Sequence, residues 1–349
     1  MPEMRAVVYE RPGRVALRTV PDARIERPGD AVVRVAAAGV CGSDLIFVGR
    51  GLYQAGQRCG HEFLGVVEET GRAVTALRVG DAVLAPFCWA DGDCRHCLAG
   101  LLTSCADGGV WGLGEGSDGG QGEAVRVPHA DATLVRLPAE ALTDRRLAPA
   151  VLALADVLPT GHHAVVAAGV RPGSTVAVVG DGAVGLCAVL AAARAGAERI
   201  IAVGSHPGRL RLALRFGATD TLAARGADAD RRLAELTDGH GVDAAVEAVG
   251  TTPALETAIR ATRPGGTVGF VGLPHHDTAP DLGPAFFHNV ALRGGIAPVR
   301  RYLPELLPEV CAGSLDAGAL FDFTGTLADV PAAYDAMSGR TVLKALIRP

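Results

Sequence analysis

The sequence predicts an α/β protein with two domains, a mostly-β domain followed by a doubly wound parallel sheet. Three observations lead to this prediction. The chain has 349 residues, which is too long for one small hydrophobic core. Roughly the first 150 residues contain short β-type segments broken by Pro, Gly and Asp. After Asp156, apolar runs alternate with Ala-rich helical stretches, which is the pattern of βαβ units.

The first domain is predicted to span residues 1–155. Its β-type segments are short and irregularly spaced, which suits a domain of barrel type. The tail, residues 297–349, loses the strict alternation and lacks the length for a third domain, so we expect it to complete the first. The predicted strands are Arg5–Val8, Ala31–Ala37, Gly65–Glu69 and Ala82–Ala85.

The second domain is predicted to span residues 156–296. Strands and helices alternate along it, so the strands should lie parallel in one sheet. The predicted elements are, in order, strand Thr175–Val179, helix Ala183–Ala195, strand Arg199–Val203, helix Pro207–Phe216, strand Val242–Glu247, helix Pro253–Thr262 and strand Thr267–Val271.

The composition excludes several classes of function. The net charge is −5 and 49% of the residues are hydrophobic, so the sequence has no electrostatic footprint for nucleic acid or anionic lipid. Positive charge comes almost wholly from Arg, because Lys344 is the only lysine. The first residues do not resemble a signal peptide, and no uncharged apolar run of about 18 residues occurs. We therefore expect a cytoplasmic protein that acts on a small molecule, with no nucleic-acid or membrane partner.

A glycine fingerprint marks the start of the second domain. The segment from Gly180 through Gly182 to Gly185 is G-x-G-x-x-G, and it follows a predicted strand and begins a predicted helix. Gly180 allows the tight turn, Gly182 lets a pyrophosphate approach the backbone, and Gly185 permits close packing of helix and strand. Ala183 and Val184 lie at the helix N-terminus, which stabilises phosphate. The alternative is a Gly-rich turn without a ligand.

The end of the next strand indicates which dinucleotide binds. A site for NAD usually has Asp or Glu here, which accepts a hydrogen bond from the ribose 2′-hydroxyl. This chain has Gly204, Ser205 and His206 instead, followed by Arg209. With no carboxylate at the strand end and basic groups close by, the pattern favours the 2′-phosphate of NADP(H). Arg209 has a structural alternative, which is to cap or solvate its own helix.

A second set of residues indicates metal chemistry. Six of the eight cysteines lie within residues 41–105, and clustered cysteines in a cytosolic chain favour metal over disulfides. Cys41, His61 and Asp156 offer a thiolate, an imidazole and a carboxylate. Three such ligands leave one position of a tetrahedral Zn²⁺ open, as catalytic sites do. Singly, they also fit a buried thiol, a core histidine and a helix-terminal carboxylate. Beside a dinucleotide site, the set indicates metal-assisted hydride transfer between an alcohol and a carbonyl.

These residues resemble those of the zinc-dependent medium-chain dehydrogenase/reductase family, which includes alcohol dehydrogenases. The resemblance covers essentially the whole chain and favours the subgroup related to glutathione-independent formaldehyde dehydrogenases. It implies a GroES-like catalytic domain, a Rossmann domain, and an active site in the cleft between them. It also implies homodimers or homotetramers joined through the Rossmann sheets, with Gly294–Val299 as the edge strand. The motifs are Gly39–Leu45, Gly60–Glu62, the cysteine lobe, Gly119–Glu123, Arg126–Pro128, Asp156–His162, Gly180–Gly185 and Glu247–Gly250.

The resemblance also implies individual roles. The three residues named above are the catalytic zinc ligands, and Glu62 is a neighbour or a transient fourth ligand. Asp44 orients the zinc-bound histidine, and Ser43 takes the alcohol proton. Many relatives have a histidine where this chain has Ile46, so the proton path beyond Ser43 is left open. The implied cofactor residues are Thr160, which packs on the nicotinamide, and Gly180, Gly182, Ala183, Val184, Gly185, Gly204, Ser205, His206, Arg209, Val249, Gly250, Val271 and Gly272.

The cysteine lobe departs from the family pattern. Relatives have four cysteines for a structural zinc, and this chain matches the last three with Cys94, Cys97 and Cys105 but has Asp91 first. A carboxylate is an acceptable zinc ligand, so Asp91 is the expected fourth ligand. Two alternatives stay open, which are a ligand role for Cys88 and a lobe without metal.

The substrate is poorly encoded. By resemblance, the pocket residues are Leu45, Phe47, Trp89, Trp111, Leu113 and Leu158, all of which are also common core types. Their apolar character favours an aliphatic, terpenoid or aromatic alcohol or aldehyde over a polyol. Three other functions are compatible with the sequence: a biosynthetic dehydrogenase specific for one complex metabolite, a zinc-free reductase on the same fold, and a non-catalytic protein that retains the fold.

Overall fold

The computed structural model describes residues 2–114, 117–275 and 278–349. It divides into two compact units, one formed by Met1–Asp156 with Pro298–Pro349 and one formed by Val157–Ala297. The predicted boundaries, after residues 155 and 296, each differ from this division by one residue. The α/β class with a parallel sheet is confirmed.

Among the described residues, strands and helices alternate without interruption along the second unit but not along the first. In chain order they are β1 (Glu3–Arg11), β2 (Arg14–Pro21), β3 (Ala31–Val40), β4 (Phe63–Thr70), β5 (Ala82–Ala85), β6 (Cys88–Trp89), β7 (Gly109–Val110), β8 (Ala124–Val127), β9 (Val135–Arg136), β10 (Thr175–Val179), β11 (Arg199–Gly204), β12 (Asp220–Ala223), β13 (Val242–Glu247), β14 (Thr262–Phe270), β15 (Ala291–Gly294), β16 (Phe323–Thr326) and β17 (Ala345–Arg348).

The α-helices of the first unit have four to nine residues, except for one of 13 residues that begins at Val299. In chain order they are α1 (Gly42–Arg50), α2 (Arg95–Leu98), α3 (Ala130–Thr133), α4 (Glu140–Thr143), α5 (Leu147–Leu152), α6 (Val157–Ala167), α7 (Ala183–Arg194), α8 (Pro207–Arg215), α9 (Gly226–Leu236), α10 (Thr252–Ala261), α11 (Gly283–Phe287), α12 (Val299–Cys311) and α13 (Val330–Ser338).

The main sheet of the first unit is built around β3. Its order is β16-β17-β3-β4-β5-β9, and β8 also pairs with β3. Because β17 pairs antiparallel with β3, with Ala345 opposite Val40, the C-terminal strand lies beside the end of β3. The side chains of Val33, Phe63 and Val83 project from these strands into one hydrophobic core cluster and are fully buried. The sheet thus brings three distant stretches of sequence together at the end of β3.

The second unit is a six-stranded parallel sheet with the order β12-β11-β10-β13-β14-β15. Its central strands β10 and β13 are mostly apolar and mostly buried, as expected for strands covered on both faces. The chain reverses its winding direction between β10 and β13. In doubly wound sheets, ligands bind at the carboxyl ends of the strands at this point.

The predicted edge strand Gly294–Val299 is wrong. The edge strand is β15, which ends at Gly294. Gly294 and Gly295 have φ values of +137° and +110°, which take the backbone out of the extended conformation. Helix α12 then begins at Val299, immediately after Pro298.

Apolar helices of the described residues are too short to cross a bilayer singly. Only the pair Leu147–Ala155 and Val157–Ala167, which is interrupted by a bend, has the necessary length and composition together, and most of its side chains are buried.

Candidate active site

The fold of the first unit brings the predicted metal ligands together. Cys41 follows β3 and caps α1, and His61 lies just before β4. Because β3 and β4 are antiparallel neighbours, with Ala38 opposite Phe63, the end of one strand lies beside the start of the other. Asp156 lies between a 3₁₀ turn and α6.

The ligand atoms of this group are close enough to share one ion. One atom each from Cys41, His61, Glu62 and Asp156 all lie within 4.8 Å of one another. The Cys41 Sγ atom is 3.5 Å from Oδ2 of Asp156, and Nε2 of His61 is 3.3 Å from the same oxygen. Sulfur, imidazole nitrogen and carboxylate oxygen are the ligand types that Zn²⁺ takes, so the residues present fit a zinc ion.

Asp44 fixes the orientation of the histidine. Its Oδ1 atom is 2.9 Å from Nδ1 of His61, which directs Nε2 towards the ligand group. The other oxygen accepts the backbone N–H of Cys41 at 2.9 Å, so one buried carboxylate positions two predicted ligands. Tyr53 donates to Oδ1 at 3.3 Å.

A buried network of hydrogen bonds next to Asp44 was not predicted. The amide of Gln121 donates to the carbonyl of Gly39 at 3.0 Å and accepts the hydroxyl of Tyr334 at 3.1 Å. Gly60, with φ of +90°, is required beside it, because a Cβ there would lie 2.4 Å from Gln121. Gln121 lies within the Gly119–Glu123 motif, but the sequence alone did not indicate which residues its side chain would bond to.

Ser43 and two aromatic rings surround the imidazole. The Ser43 hydroxyl lies 3.2 Å from Nε2 of His61, within reach of whatever occupies the ligand group. The rings of Phe47 and Phe87 meet the imidazole edge-on, with centroids 6.2 and 6.5 Å away. Phe47 was predicted as a pocket residue and Phe87 was missed.

Trp111 was predicted to line the substrate pocket, but its side chain is part of a hydrophobic core cluster. Its side chain is 1% exposed, donates to the carbonyl of Pro86 at 2.6 Å, and packs on Phe63 and Trp89. Trp89 and Trp111 also border a surface cavity of about 330 Å³, but none of the predicted metal ligands lines it.

The environment of the ligand group raises the pKa of three of its members, Cys41, His61 and Glu62, the last chiefly through burial. Burial raises the pKa of the Cys41 thiol, although the charge of Lys344 opposes the shift. Burial lowers the pKa of His61, but the Asp44 carboxylate and hydrogen bonds outweigh it, so the net shift is upward. A metal must therefore displace protons from these ligands, and its affinity should fall as pH falls.

Glu62 has a partner that sequence reasoning missed. Lys344 Nζ lies 2.8 and 2.6 Å from the two carboxylate oxygens, and both side chains are at most 1% exposed. The signal was present, since Lys344 is the only lysine in the chain. Its position beside Glu62 depends on the pairing of β17 with β3.

The cysteine lobe forms a second group. One atom each from Asp91, Cys94, Cys97 and Cys105 lie within 4.8 Å of one another. The Oδ1 atom of Asp91 accepts the backbone N–H groups of Asp93 and Cys94, each at 3.0 Å, and such bonds, above all that from Cys94, lower the pKa of this carboxyl. Cys88 is outside the group, and burial raises its pKa to about 12.

The glycine fingerprint has the expected turn between β10 and α7. Gly180 has φ of +122°, and a Cβ on Gly185 would lie 1.9 Å from the Gly180 carbonyl oxygen. A Cβ on Gly182 would meet nothing within 4 Å, which leaves the space that a pyrophosphate needs. Ala183 and Val184 form the first turn of α7.

Gly204 has a close neighbour that the sequence did not indicate. A Cβ at Gly204 would lie 2.5 Å from Oδ2 of Asp181, so the glycine leaves room for a carboxylate from the fingerprint turn. That oxygen accepts the backbone N–H groups of Ser205 and His206 at 2.7 and 2.8 Å, and lies 3.0 Å from Nδ1 of His206. These bonds outweigh the burial of Asp181 and lower its pKa.

Arg225 is a cation that the sequence did not indicate. It lies just before α9, its side chain is exposed, and it donates to the Ser205 hydroxyl. Arg209 is half-buried on α8. The structure therefore brings Arg225, which is distant in sequence, to the end of β11.

The remaining predicted cofactor residues lie in the same unit. Thr160 is buried in the first part of α6. Oε1 of Glu247 accepts the backbone N–H groups of Val249 and Gly250, each at 2.7 Å. A Cβ on Gly272, which follows Val271, would lie 2.1 Å from the Gly250 nitrogen, so the two loops pack tightly beside β13 and β14.

Comparison with known proteins agrees with this arrangement. Residues 27–139 match the family described as alcohol dehydrogenase GroES-like domain, and residues 183–311 match zinc-binding dehydrogenase. Zinc-type alcohol dehydrogenase B of Aspergillus flavus is 35% identical over 99% of the chain and 81% of its own length. Glutathione-independent formaldehyde dehydrogenase of Pseudomonas aeruginosa is 31% identical over 99% and 97%. The solved alcohol dehydrogenase from Thermus sp. ATN1 has a TM-score of 0.91 and 34% identity, covering 99% of both chains.

Proposed function

Because the chain belongs to the zinc-type alcohol dehydrogenase family, we propose that it transfers hydride between an alcohol or carbonyl substrate and NADP(H), with Cys41, His61 and Asp156 holding the zinc. This proposal rests on one observation. The side chains of Cys41, His61 and Asp156, from three separate stretches of the chain, lie in one cluster. When bound, the zinc supplies a Lewis acid that polarises the substrate oxygen.

The side chains around the cluster have defined tasks in this reaction. Asp44 holds His61 by Nδ1, and Ser43 lies 3.2 Å from Nε2 of the same ring, where it takes the proton that the alcohol loses. Phe47 and Phe87 exclude water from the imidazole. A bound nicotinamide would supply the hydride acceptor for oxidation and the hydride donor for reduction. In oxidation, the Ser43 hydroxyl would accept the alcohol proton as it gives its own proton to water, and in reduction it would do the reverse.

The preference for NADP(H) is supported by the residues at the end of β11. Ser205 presents a hydroxyl that already accepts a bond from exposed Arg225. Asp181 brings a negative charge to the same turn, but its Oδ2 atom is engaged by Ser205 and His206. Guanidinium groups bind phosphate through paired, charge-assisted bonds, so Arg225 is the candidate partner of a 2′-phosphate.

The subgroup and the substrate class are further parts of this proposal. We place the chain in the formaldehyde-dehydrogenase-like subgroup, and the aromatic surroundings of His61 favour an apolar alcohol or aldehyde. The alternative of a dehydrogenase specific for one complex metabolite has the same site and differs only in substrate range. A homodimer or homotetramer and a cytoplasmic location remain predictions.

The test is turnover of an alcohol and aldehyde panel with NADP⁺ and NADPH, before and after chelation. Cys41→Ser is expected to lower turnover by at least about a thousandfold and to leave NADPH affinity nearly unchanged, because the ligand is lost while the dinucleotide turn remains. Cys311→Ser, at the end of α12, makes the same chemical change away from the cluster and should retain activity. Activity that survives both chelation and Cys41→Ser would instead support the zinc-free reductase.

A further inference from the structure

Lys344 lies in the core behind the proposed zinc ligands. It is the only lysine in the chain, and its side chain is 1% exposed. Its ammonium donates to both carboxylate oxygens of Glu62 and lies 3.5 Å from the carbonyl of Val40, the residue before Cys41. The ring of Phe321 lies 5.5 Å away. These contacts tie the cation to Glu62 and to the backbone that leads into the ligand group.

The position of this cation is set by the backbone. Lys344 precedes β17, whose first residue, Ala345, pairs with Val40 of β3. The N–H groups of Leu343 and Lys344 donate to Oδ1 of Asp322 at 2.8 and 3.2 Å. The ammonium is therefore held beside the end of β3 by the sheet and by a turn, and not only by its ion pair.

Glu62 is within reach of two cations. Its carboxylate is fully buried, and one of its oxygens belongs to the group whose atoms lie within 4.8 Å of one another. A Cβ on Gly39 would lie 2.0 Å from Oε2, so glycine at that position leaves the space that the carboxylate occupies. A buried carboxylate needs a cationic partner, and here either Lys344 or a metal at the ligand group is available.

We propose that Lys344 is a positioning residue that retains Glu62 in an ion pair and so keeps the fourth coordination position of the metal open. This inference rests on the proposed zinc site. The Cys41 thiolate and the Asp156 carboxylate balance a divalent ion, and Lys344 balances Glu62. If Glu62 moved to the metal, the ammonium would stay buried without a counter-ion, which is strongly unfavourable. Removing the ammonium reverses that preference and makes Glu62 a fourth protein ligand.

The test uses Co²⁺ as a spectroscopic substitute for zinc and imidazole as the added ligand. In the unmodified protein, imidazole enters the open position and changes the visible spectrum of the bound cobalt. Lys344→Met removes the charge at nearly constant length, and we expect no response to imidazole and a rate of cobalt loss to a chelator slower by about tenfold or more. The cysteine lobe, with four protein ligands, contributes equally to both spectra and cancels in the difference.

The double variant Lys344→Met with Glu62→Gln separates positioning from general destabilisation. A neutral amide needs no counter-ion, so imidazole should again change the cobalt spectrum. Arg348→Met, which removes a cation from β17, should respond as the unmodified protein does. An equal imidazole response in Lys344→Met and the unmodified protein would overturn the positioning role. A cobalt spectrum that Cys41→Ser leaves unchanged would instead overturn the proposed metal site.

A second measurement does not depend on whether the variants fold. Because Lys344 is the only lysine, ¹⁵N-lysine labelling yields a single ammonium resonance. We expect this resonance to stay slowly exchanging with solvent when zinc is added, since the pair with Glu62 persists. Its loss on zinc addition would show that the metal takes Glu62 from Lys344, and would overturn the proposal.

Discussion

Asp181 and Arg225 bring opposite charges to the two sides of Ser205. The carboxylate of Asp181 accepts the Ser205 backbone N–H, and the guanidinium of Arg225 donates to the Ser205 hydroxyl. Only the cation is exposed, since Asp181 is 8% exposed and its Oδ2 atom is bonded within the turn. An anion that approaches the Ser205 hydroxyl from solvent therefore meets the positive side of this arrangement.

Replacement of Arg225 tests the cofactor preference at this position. Arg225→Gln is expected to lower kcat/KM for NADP⁺ by about 10- to 100-fold, because one charge-assisted bond to phosphate is lost. The value for NAD⁺, which lacks the phosphate, should change by less than about twofold. Steady-state kinetics with both cofactors measure this. Arg231→Gln on α9, also exposed, is the matched control, and equal losses with both cofactors would contradict the prediction.

Individual residues at this turn were only partly predictable. Ser205 and His206 were identified from their place after a strand, which depends on local pattern alone. The contact of Asp181 with them was not, because it requires β10 and β11 to be parallel neighbours in register, with Val179 opposite Val203. Arg225 lies 20 residues beyond Ser205, and no spacing rule connects the two.

At the scale of elements, the junction of β10 and α7 depends on the close approach of Gly185 to the carbonyl oxygen of Gly180. A Cβ on Gly185 would lie 1.9 Å from a backbone carbonyl oxygen, which has no side-chain freedom with which to move away. Gly208, on α8, offers a contrast, since a Cβ there would meet only the end of an Arg211 side chain at 3.8 Å. The same substitution should therefore have opposite effects at the two glycines.

Gly185→Ala is expected to destabilise the protein by about 2 kcal/mol or more and to weaken NADP⁺ binding, since the added methyl forces α7 away from the turn. Gly208→Ala is expected to stabilise it by up to about 1 kcal/mol, because alanine loses less backbone entropy in a helix. Urea unfolding and a cofactor titration measure both effects. A Gly185→Ala protein that is as stable as the original would show that the turn can relax.

Elements were predicted best where the local pattern is strong. The strands β10 and β13 begin and end where predicted, α7 and α8 differ by one residue at one end, and α10 differs by one residue at each end. In contrast, no helix was predicted in the first domain or tail. Helix α12 contains Pro304 and Pro308, and α1 contains glycines, so neither has the composition of a typical helix. Tertiary packing stabilises both.

At the scale of the whole chain, the candidate site is assembled by long-range pairing. The ligand types were predictable, because thiolate, imidazole and carboxylate in sequence motifs indicate zinc chemistry. The environment was not. Lys344 reaches Glu62 across 282 residues, beside a C-terminal strand whose pairing with β3 leaves no local sign in the sequence. Tyr334, on α13, reaches Gln121 across 213 residues. These contacts decide the charge and rigidity around the Cys41 ligand group.

The number of zinc ions per chain tests the two clusters together. Both groups have four candidate atoms within 4.8 Å, so we expect two zinc ions per chain by elemental analysis.

In the lobe, Asp91 uses Oδ1 for two backbone N–H groups, which leaves Oδ2 for the ion. Asp91→Ala should therefore lower the count to about one and reduce the melting temperature, because metal binding stabilises the folded lobe. Turnover per remaining zinc should persist, since the Cys41 group is unchanged. Asp93→Ala, in the same loop but outside the group, should retain both ions, and a count of one in the unmodified protein would mean that the lobe folds without metal.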